Sequence, residues 1–260
     1  MIKQIMTIEQ IQVKLKSNKY DFLRTDKRLG NNIIILVLGG SYAYGMARED
    51  SDLDLRGTAL NSKSDILLGT DFKQVVDVGT DTTVYSFNKM IALLASGNPN
   101  IIEELGCLPE HYLYLSDIGK ELLDKRQMFL SGICIHTFGG YAGSQIRRME
   151  KKAAGLVGRD DLGKHMAHLI RLYLMCIDIL EKEEVITYRS DEHDLLMKIR
   201  NGDFLNAHGR VIPEFYDLLT EYQKRFEYAS EHTSLPEKPD YERINEFKMY
   251  INERVVKGEI

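Results

Sequence analysis

Asp52 and Asp54 stand two residues apart in the stretch VLGGSYAYGMAREDSDLDL, which runs from Val37 to Leu55. Side chains at i and i+2 on a strand share one face, about 6.6 Å apart along the chain, so both carboxylates emerge together. They repel unless a positive charge sits between them. Mg²⁺ suits such a pair, because it takes hard oxygen ligands and is usually held by one or two carboxylates plus substrate phosphates. Two ions about 3.5 to 4 Å apart would clamp the attacking and leaving oxygens of an in-line displacement. That arrangement needs a third carboxylate from a neighbouring strand. Asp81 is the first choice and Asp77 the second, since both border the next β-prone region and spacing does not separate them.

The residues just before the pair supply the other half of the chemistry. Gly39 and Gly40 let the chain turn tightly and present backbone N–H groups, and Ser41 adds a hydroxyl donor. Tyr42 to Ala47 are expected to form a short helical turn whose start faces the same anion. The combination is a phosphate cradle set against a metal site. No Lys-Ser/Thr pair follows the glycines, and their spacing is not that of a dinucleotide fingerprint, so P-loop ATPases and dehydrogenases are disfavoured.

The stretch GGSYAYGMAREDSDLDLRG resembles the signature of the DNA polymerase beta-like nucleotidyltransferase superfamily: a hydrophobic strand, Gly-Ser, a short helix with a further glycine, and Ser-Asp-x-Asp on the next strand. With TDTTVYSFNKMIALLASGNPNIIEEL and GKHMAHLIRLYL, the chain is similar to the RNA-repair-pathway polymerase-beta-like group from about Ile33 to Phe204. The resemblance implies that Gly40 and Ser41 bind a triphosphate, that Asp52 and Asp54 ligate metal, and that Asp81, or Asp77, is the third carboxylate. It implies a divalent-metal-dependent enzyme, using Mg²⁺ or Mn²⁺, that moves a nucleoside monophosphate from a nucleoside triphosphate to an acceptor hydroxyl. The acceptor is left open between an RNA or tRNA end, a protein and a small molecule. The competing class is a nucleotide-binding or protein-interaction module that keeps the fold without catalysis.

Several basic residues are placed to assist. Arg56 shares the strand face of the aspartates and can pair with a carboxylate or contact a phosphate. Lys164, His168 and Arg171 fall at i, i+4 and i+7 of one helix and form a polar stripe. That stripe can hold a triphosphate or an acceptor phosphate, and for His168 a structural role is equally open. Between Arg147 and Arg171 seven basic residues accompany three acidic ones, a local excess of positive charge in an acidic chain that can receive an RNA backbone or the nucleotide. Tyr141, just upstream, is a stacking surface or a core ring. The histidines show no recognised zinc spacing.

These groups must be positioned by two kinds of structure. Ile33 to Leu38 reads as a buried strand, Asp52 to Leu60 as a second, and Phe72 to Val78 and Thr82 to Tyr85 as further β segments. Helices are expected over Ile8 to Lys19, with Thr7 and Gln10 as a capping box, over Phe87 to Leu94, and from the Asn98-Pro99 step to Leu105. Beyond Pro109 the pattern is helical over Ile118–Phe129, Ile133–Leu156, Leu162–Leu180, His193–Ile199 and Ile212–Tyr228, with a break at Gly158. A proline-bearing tether leads to a last helix, Tyr241–Val256. The fold expected is α+β: a mixed-sheet nucleotidyltransferase domain over residues 1–110, then a mainly helical substrate-binding domain over 111–260.

The 260 residues suffice to bury roughly 70 to 75% of the extended surface. A net charge of -5 opposes a protein that coats nucleic acid with its whole surface, while permitting a local basic groove. Three widely spaced cysteines point to buried thiols in a reducing compartment. No apolar run approaches the ~20 residues of a membrane span, and the expected location is the cytoplasm.

Overall fold

The apolar run IIILVL forms the strand β1 (Ile33–Leu38), and all six residues are buried, as a strand covered on both faces requires. In the computed structural model, which describes residues 5–155 and 161–260, β1 lies inside a five-stranded sheet. The other strands are β2 (Leu55–Ala59), β3 (Gln74–Asp77), β4 (Thr82–Ser86) and β5 (Tyr112–Leu115). The order across the sheet is β3-β4-β2-β1-β5. β1 runs antiparallel to β2 and β5, β3 antiparallel to β4, and β2 parallel to β4. Tyr112–Leu115 lies where the sequence pattern read as helical, and its pairing with β1 makes it a sheet edge.

Seven helices accompany the sheet: α1 (Ile8–Leu15), α2 (Phe22–Thr25), α3 (Gly40–Ala43), α4 (Lys63–Leu68), α5 (Phe87–Ala95), α6 (Pro99–Ile102) and α7 (Asp117–Asp124). The Thr7–Gln10 capping box starts α1, Ser86 caps α5, and Asn98 caps α6 with Pro99 at its first position. The helix expected to continue from Pro99 to Leu105 tightens instead into a 3-10 turn over Glu103–Gly106.

The mainly helical region holds α8 (Ile133–Ala153), α9 (Leu162–Lys182), α10 (His193–Asn201), α11 (Pro213–His232) and α12 (Tyr241–Lys257). α9 is its axis: sixteen of its 21 residues are buried, and it packs against α8, α10 and α11. The break read at Gly158, together with Leu156, Arg159 and Asp160, lies outside the described residues.

The apolar core joins the two regions. One face of β1 contributes Ile34, Ile35 and Val37 to a cluster with α5, α7, α8, α9 and α12, while Ile33, Leu36 and Leu38 pack with α1 and α2. A register shift between Ile33 and Ile35 lets two successive residues, Ile34 and Ile35, enter the same cluster. The tether beyond α11 carries the chain back along Met128 and Gly132. α12 then buries Ile244, Phe247 and Ile251 on the sheet side, with Phe247 edge-on to Phe87 at 5.9 Å. The three cysteines are free, with Cys134 and Cys176 buried. Among the described residues no helix is long and apolar enough to cross a membrane.

Candidate active site

The strand register assembles the acidic side of the site. Leu38 pairs with Leu55 across the antiparallel β1/β2 edge, so the Gly39-Gly40 turn meets the residues just before β2, and Gly39 N donates to Asp54 O at 2.9 Å. Leu55 pairs with Thr82 across the parallel β2/β4 edge, and Leu55 N donates to Asp81 O at 3.1 Å. Asp54 and Asp81 therefore end adjacent strands side by side. Leu53 and Leu55 are buried beneath, which turns Asp52 and Asp54 to the opposite face.

Gly40 has φ +54°, and a Cβ built there would fall onto Asp54 Oδ2. The missing side chain is the space the carboxylate occupies. The carboxyls of Asp54 and Asp81 stand within hydrogen-bonding reach, and burial followed by Asp81 pushes the Asp54 carboxyl up to about 7, against the pull of Arg56 and Lys164. Asp81 holds a left-handed backbone, φ 45°, which an Asp tolerates better than most residues. Arg56 anchors it: Nη1 donates to Asp81 O at 2.8 Å, to Leu55 O at 2.8 Å, and to Asp81 Oδ1 at 3.3 Å.

Asp77 is committed elsewhere. Its Oδ1 accepts from Thr80 N and Thr80 Oγ1, both at 2.8 Å, and closes the 3-10 turn that delivers Asp81.

A cavity of about 500 Å³ opens over the carboxylates. Of the residues singled out from sequence, Gly40, Ser41, Asp52, Asp54, Asp81, Tyr141, Lys164, His168 and Arg171 line it, whereas Arg56 and Asp77 do not. Lys164 is exposed, His168 half-buried and Arg171 fully buried, so the helical stripe descends from the cavity surface into the core. Arg171 borders the cavity with its guanidinium held in the protein. Nη1 donates to Glu103 Oε2 at 3.0 Å, Nη2 to His168 Nδ1 at 2.9 Å, and the group lies 3.5 Å from the centre of the Tyr44 ring. Tyr44 Oη closes the network by donating to Glu103 Oε1 at 2.8 Å.

This network sets the protonation of His168. Arginine only donates, so His168 Nδ1 carries the lone pair and the neutral ring holds its proton on Nε2. Burial, then Arg171, His165 and Lys164, hold its pKa down to about 3. Tyr141 packs edge-on to this ring at 5.8 Å.

Two cavity residues carried no sequence signal: Arg200, from the last turn of α10, reaches the loop before Asp52, and Gln145 comes from α8, while Arg148 of the same helix belongs to the basic stretch read from the sequence. Gln145 is 8% exposed and its Oε1 has no partner.

Among the described residues no group of three His, Cys, Asp or Glu side chains is gathered to hold a metal ion. The donor set still fits a hard divalent cation. Half-buried Asp54 and exposed Asp81 stand side by side, and Mg²⁺ commonly takes only one or two protein carboxylates, with phosphate and water completing its shell. Asp54 and Asp81 would hold such an ion, with exposed Asp52 at the same wall.

No protein of curated function matches the chain. The profile described as RlaP, RNA repair pathway DNA polymerase beta family, matches residues 10–250, a span that takes in the sheet, the carboxylates and the helical region alike, and the chain belongs to this family of polymerase-beta-like nucleotidyltransferases.

Proposed function

We propose that the protein is a divalent-metal-dependent nucleotidyltransferase that moves a nucleoside monophosphate from a nucleoside triphosphate to the hydroxyl of an RNA end, tRNA included, and releases pyrophosphate. The observation that carries the reading is the seating of Asp54 against Gly40 and beside Asp81 within one cavity. Family membership supports it, and the family's description favours RNA over a protein or small-molecule acceptor.

Mg²⁺ or Mn²⁺ bound at the carboxylates would lower the pKa of the acceptor hydroxyl and neutralise charge developing on the phosphates. Gly40 and Ser41 cradle the triphosphate with backbone N–H and hydroxyl donors. Arg56 fixes the position of Asp81. His168 offers the cavity a neutral N–H donor, and Lys164 an exposed ammonium for phosphate. In the transfer, the acceptor oxygen bonds to the α-phosphorus, the bond to the bridging oxygen breaks with its electron pair leaving on pyrophosphate, and the hydroxyl proton passes to solvent.

The test supplies each α-labelled triphosphate with Mg²⁺ or Mn²⁺ to the protein and separate pools of RNA, protein and small metabolites. Label is expected in RNA, and its loss in Asp54→Asn ties it to the site. Label in another pool reassigns the acceptor; none in any pool, with triphosphate binding intact, leaves the non-catalytic module.

A further inference from the structure

The loop between α3 and β2 brings a second charged feature to the cavity. Arg200 is threaded into it, with Nη1 donating to Met46 O at 2.8 Å and Nη2 to Ser51 Oγ at 3.4 Å. Ser51 Oγ also accepts from Arg48 N at 2.9 Å, so the two arginines share an anchor. Gly163 permits this close approach of α9 to α10, since a Cβ there would stand 2.5 Å from Arg200 O. Arg48 meets Asp50 through Nε at 3.3 Å and Nη2 at 3.4 Å, but the Asp50 side chain is 65% exposed, and such a surface pair neutralises little. Arg200 Nε is buried without a partner. Desolvation, then the charge of Arg48, pull the Arg200 pKa down, against the weaker influence of Asp50 and Asp161. Both guanidiniums border the first cavity at this cost, and phosphate is an anion whose geometry an arginine matches.

Their position indicates which phosphate. A second hollow of about 280 Å³ shares Arg48, Asp161, Lys164 and Arg200 with the first, continues to Asn201 and Leu205, and includes none of the three aspartates. The arginines stand where the two hollows meet. A triphosphate held at Gly40, Ser41 and the carboxylates belongs to the first hollow. A ligand passing the arginines into the second must continue beyond that nucleotide.

We infer that Arg48 and Arg200 form a phosphodiester-binding subsite that grips the backbone of the acceptor strand as it runs from the second hollow toward the carboxylates. The inference rests on the nucleotidyltransferase reading and adds to it a strand path and two residues that hold it.

A phosphate at this junction could also come from the triphosphate, and the experiment separates the two sources. Binding of a short single-stranded RNA with a free 3′-hydroxyl and, separately, of a labelled nucleoside triphosphate with Mg²⁺ is measured for the parent, Arg48→Gln and Arg200→Gln across a salt series. Each variant is expected to weaken RNA binding about tenfold and to flatten the logarithmic salt dependence by roughly one phosphate's worth, while triphosphate binding stays within about twofold. Equal weakening of both ligands would assign the arginines to the triphosphate and overturn the inference, as would unchanged RNA binding. Arg48 makes its side-chain contact at the surface, so Arg48→Gln decides the matter if Arg200→Gln disturbs the loop. Failure of the underlying reading has a different signature: a parent protein that binds no triphosphate with Mg²⁺.

Discussion

Gly40 and Asp54 are fitted to one another: the left-handed backbone of the glycine leaves a gap, and Asp54 Oδ2 fills it. Gly40→Ala is therefore expected to act on the carboxylate directly. The added methyl group displaces Asp54 and strains the turn at φ +54°. Transfer should fall about 100-fold or more, because displacement of a reacting group by about 1 Å costs on that order. Stability should drop by only about 1–2 kcal/mol. Rate per folded molecule, measured with labelled triphosphate beside a thermal melt, checks both parts; an active Gly40→Ala would show that the contact is dispensable.

The same carboxylate sets a pH dependence. Asp54, whose ordinary value is 3.8, is pushed up to about 7 in the fold by burial and by Asp81. Between those values the folded chain holds a proton that the unfolded chain has lost. The metal-free protein is thus most favoured below the ordinary carboxylate range and loses that contribution as pH rises through about 7. In chelator at pH 8, Asp54→Asn should be more stable than the parent by about 1–2 kcal/mol, a figure reduced because solvent screens this half-buried group. The gap should close toward pH 4. Added Mg²⁺ with triphosphate should reverse the ranking at pH 8, since only the parent gains the ligand's stabilisation. Urea melts at the two pH values, with and without ligand, measure each quantity.

The Glu103–Arg171 pair should matter for stability before it matters for turnover. Arg171 is fully buried and joins Glu103, His168 and the face of Tyr44, tying α9 to the end of α3. Glu103→Gln leaves a buried guanidinium without its counter-charge and is expected to cost about 3 kcal/mol, or roughly 10 °C in melting temperature. Tyr44→Phe keeps the ring and loses one hydrogen bond, about 1 kcal/mol. The double variant should lose less than the sum, because Tyr44 donates to the group that Glu103→Gln alters. Melts of the three variants test the network; additive losses would mean that the contacts act separately.

What could be read from sequence follows the range of the forces involved. β1 was legible because six consecutive apolar residues have no other economical fate, and the caps at Thr7 and Asn98 because a cap is a local hydrogen bond. The same-face projection of Asp52 and Asp54 was expected from strand alternation over Asp52 to Leu60; the strand begins only at Leu55, yet both carboxylates border the cavity. Tyr112–Leu115 was not legible: four residues of aromatic and aliphatic character fit a helix or an edge strand, and the choice is made by β1, some 75 positions earlier. Lys164, His168 and Arg171 were correctly placed on one helical stripe, but helical spacing carries no depth. Glu103 and Tyr44, which hold Arg171 in the core, are remote in sequence, and Arg200 reaches the site from a helix whose own pattern is ordinary.

The choice between Asp81 and Asp77 is the clearest case in which the register adds what spacing lacked, and it can be tested by a paired substitution. Asp81 follows the 3-10 turn and borders Asp54 through the Leu55–Thr82 pairing, while Asp77 caps the turn through Thr80. On the proposed function, in which its carboxylate would join Asp54 in holding the ion, Asp81→Asn should lower transfer about 100-fold or more with little change in melting temperature. Asp77→Asn should leave turnover per folded molecule near that of the parent and cost about 0.5–1 kcal/mol, the worth of a weakened cap. Divalent-ion titrations should follow the same division, with affinity reduced in Asp81→Asn and retained in Asp77→Asn. The opposite pattern would move the third carboxylate to Asp77 and require the turn to open when the triphosphate binds.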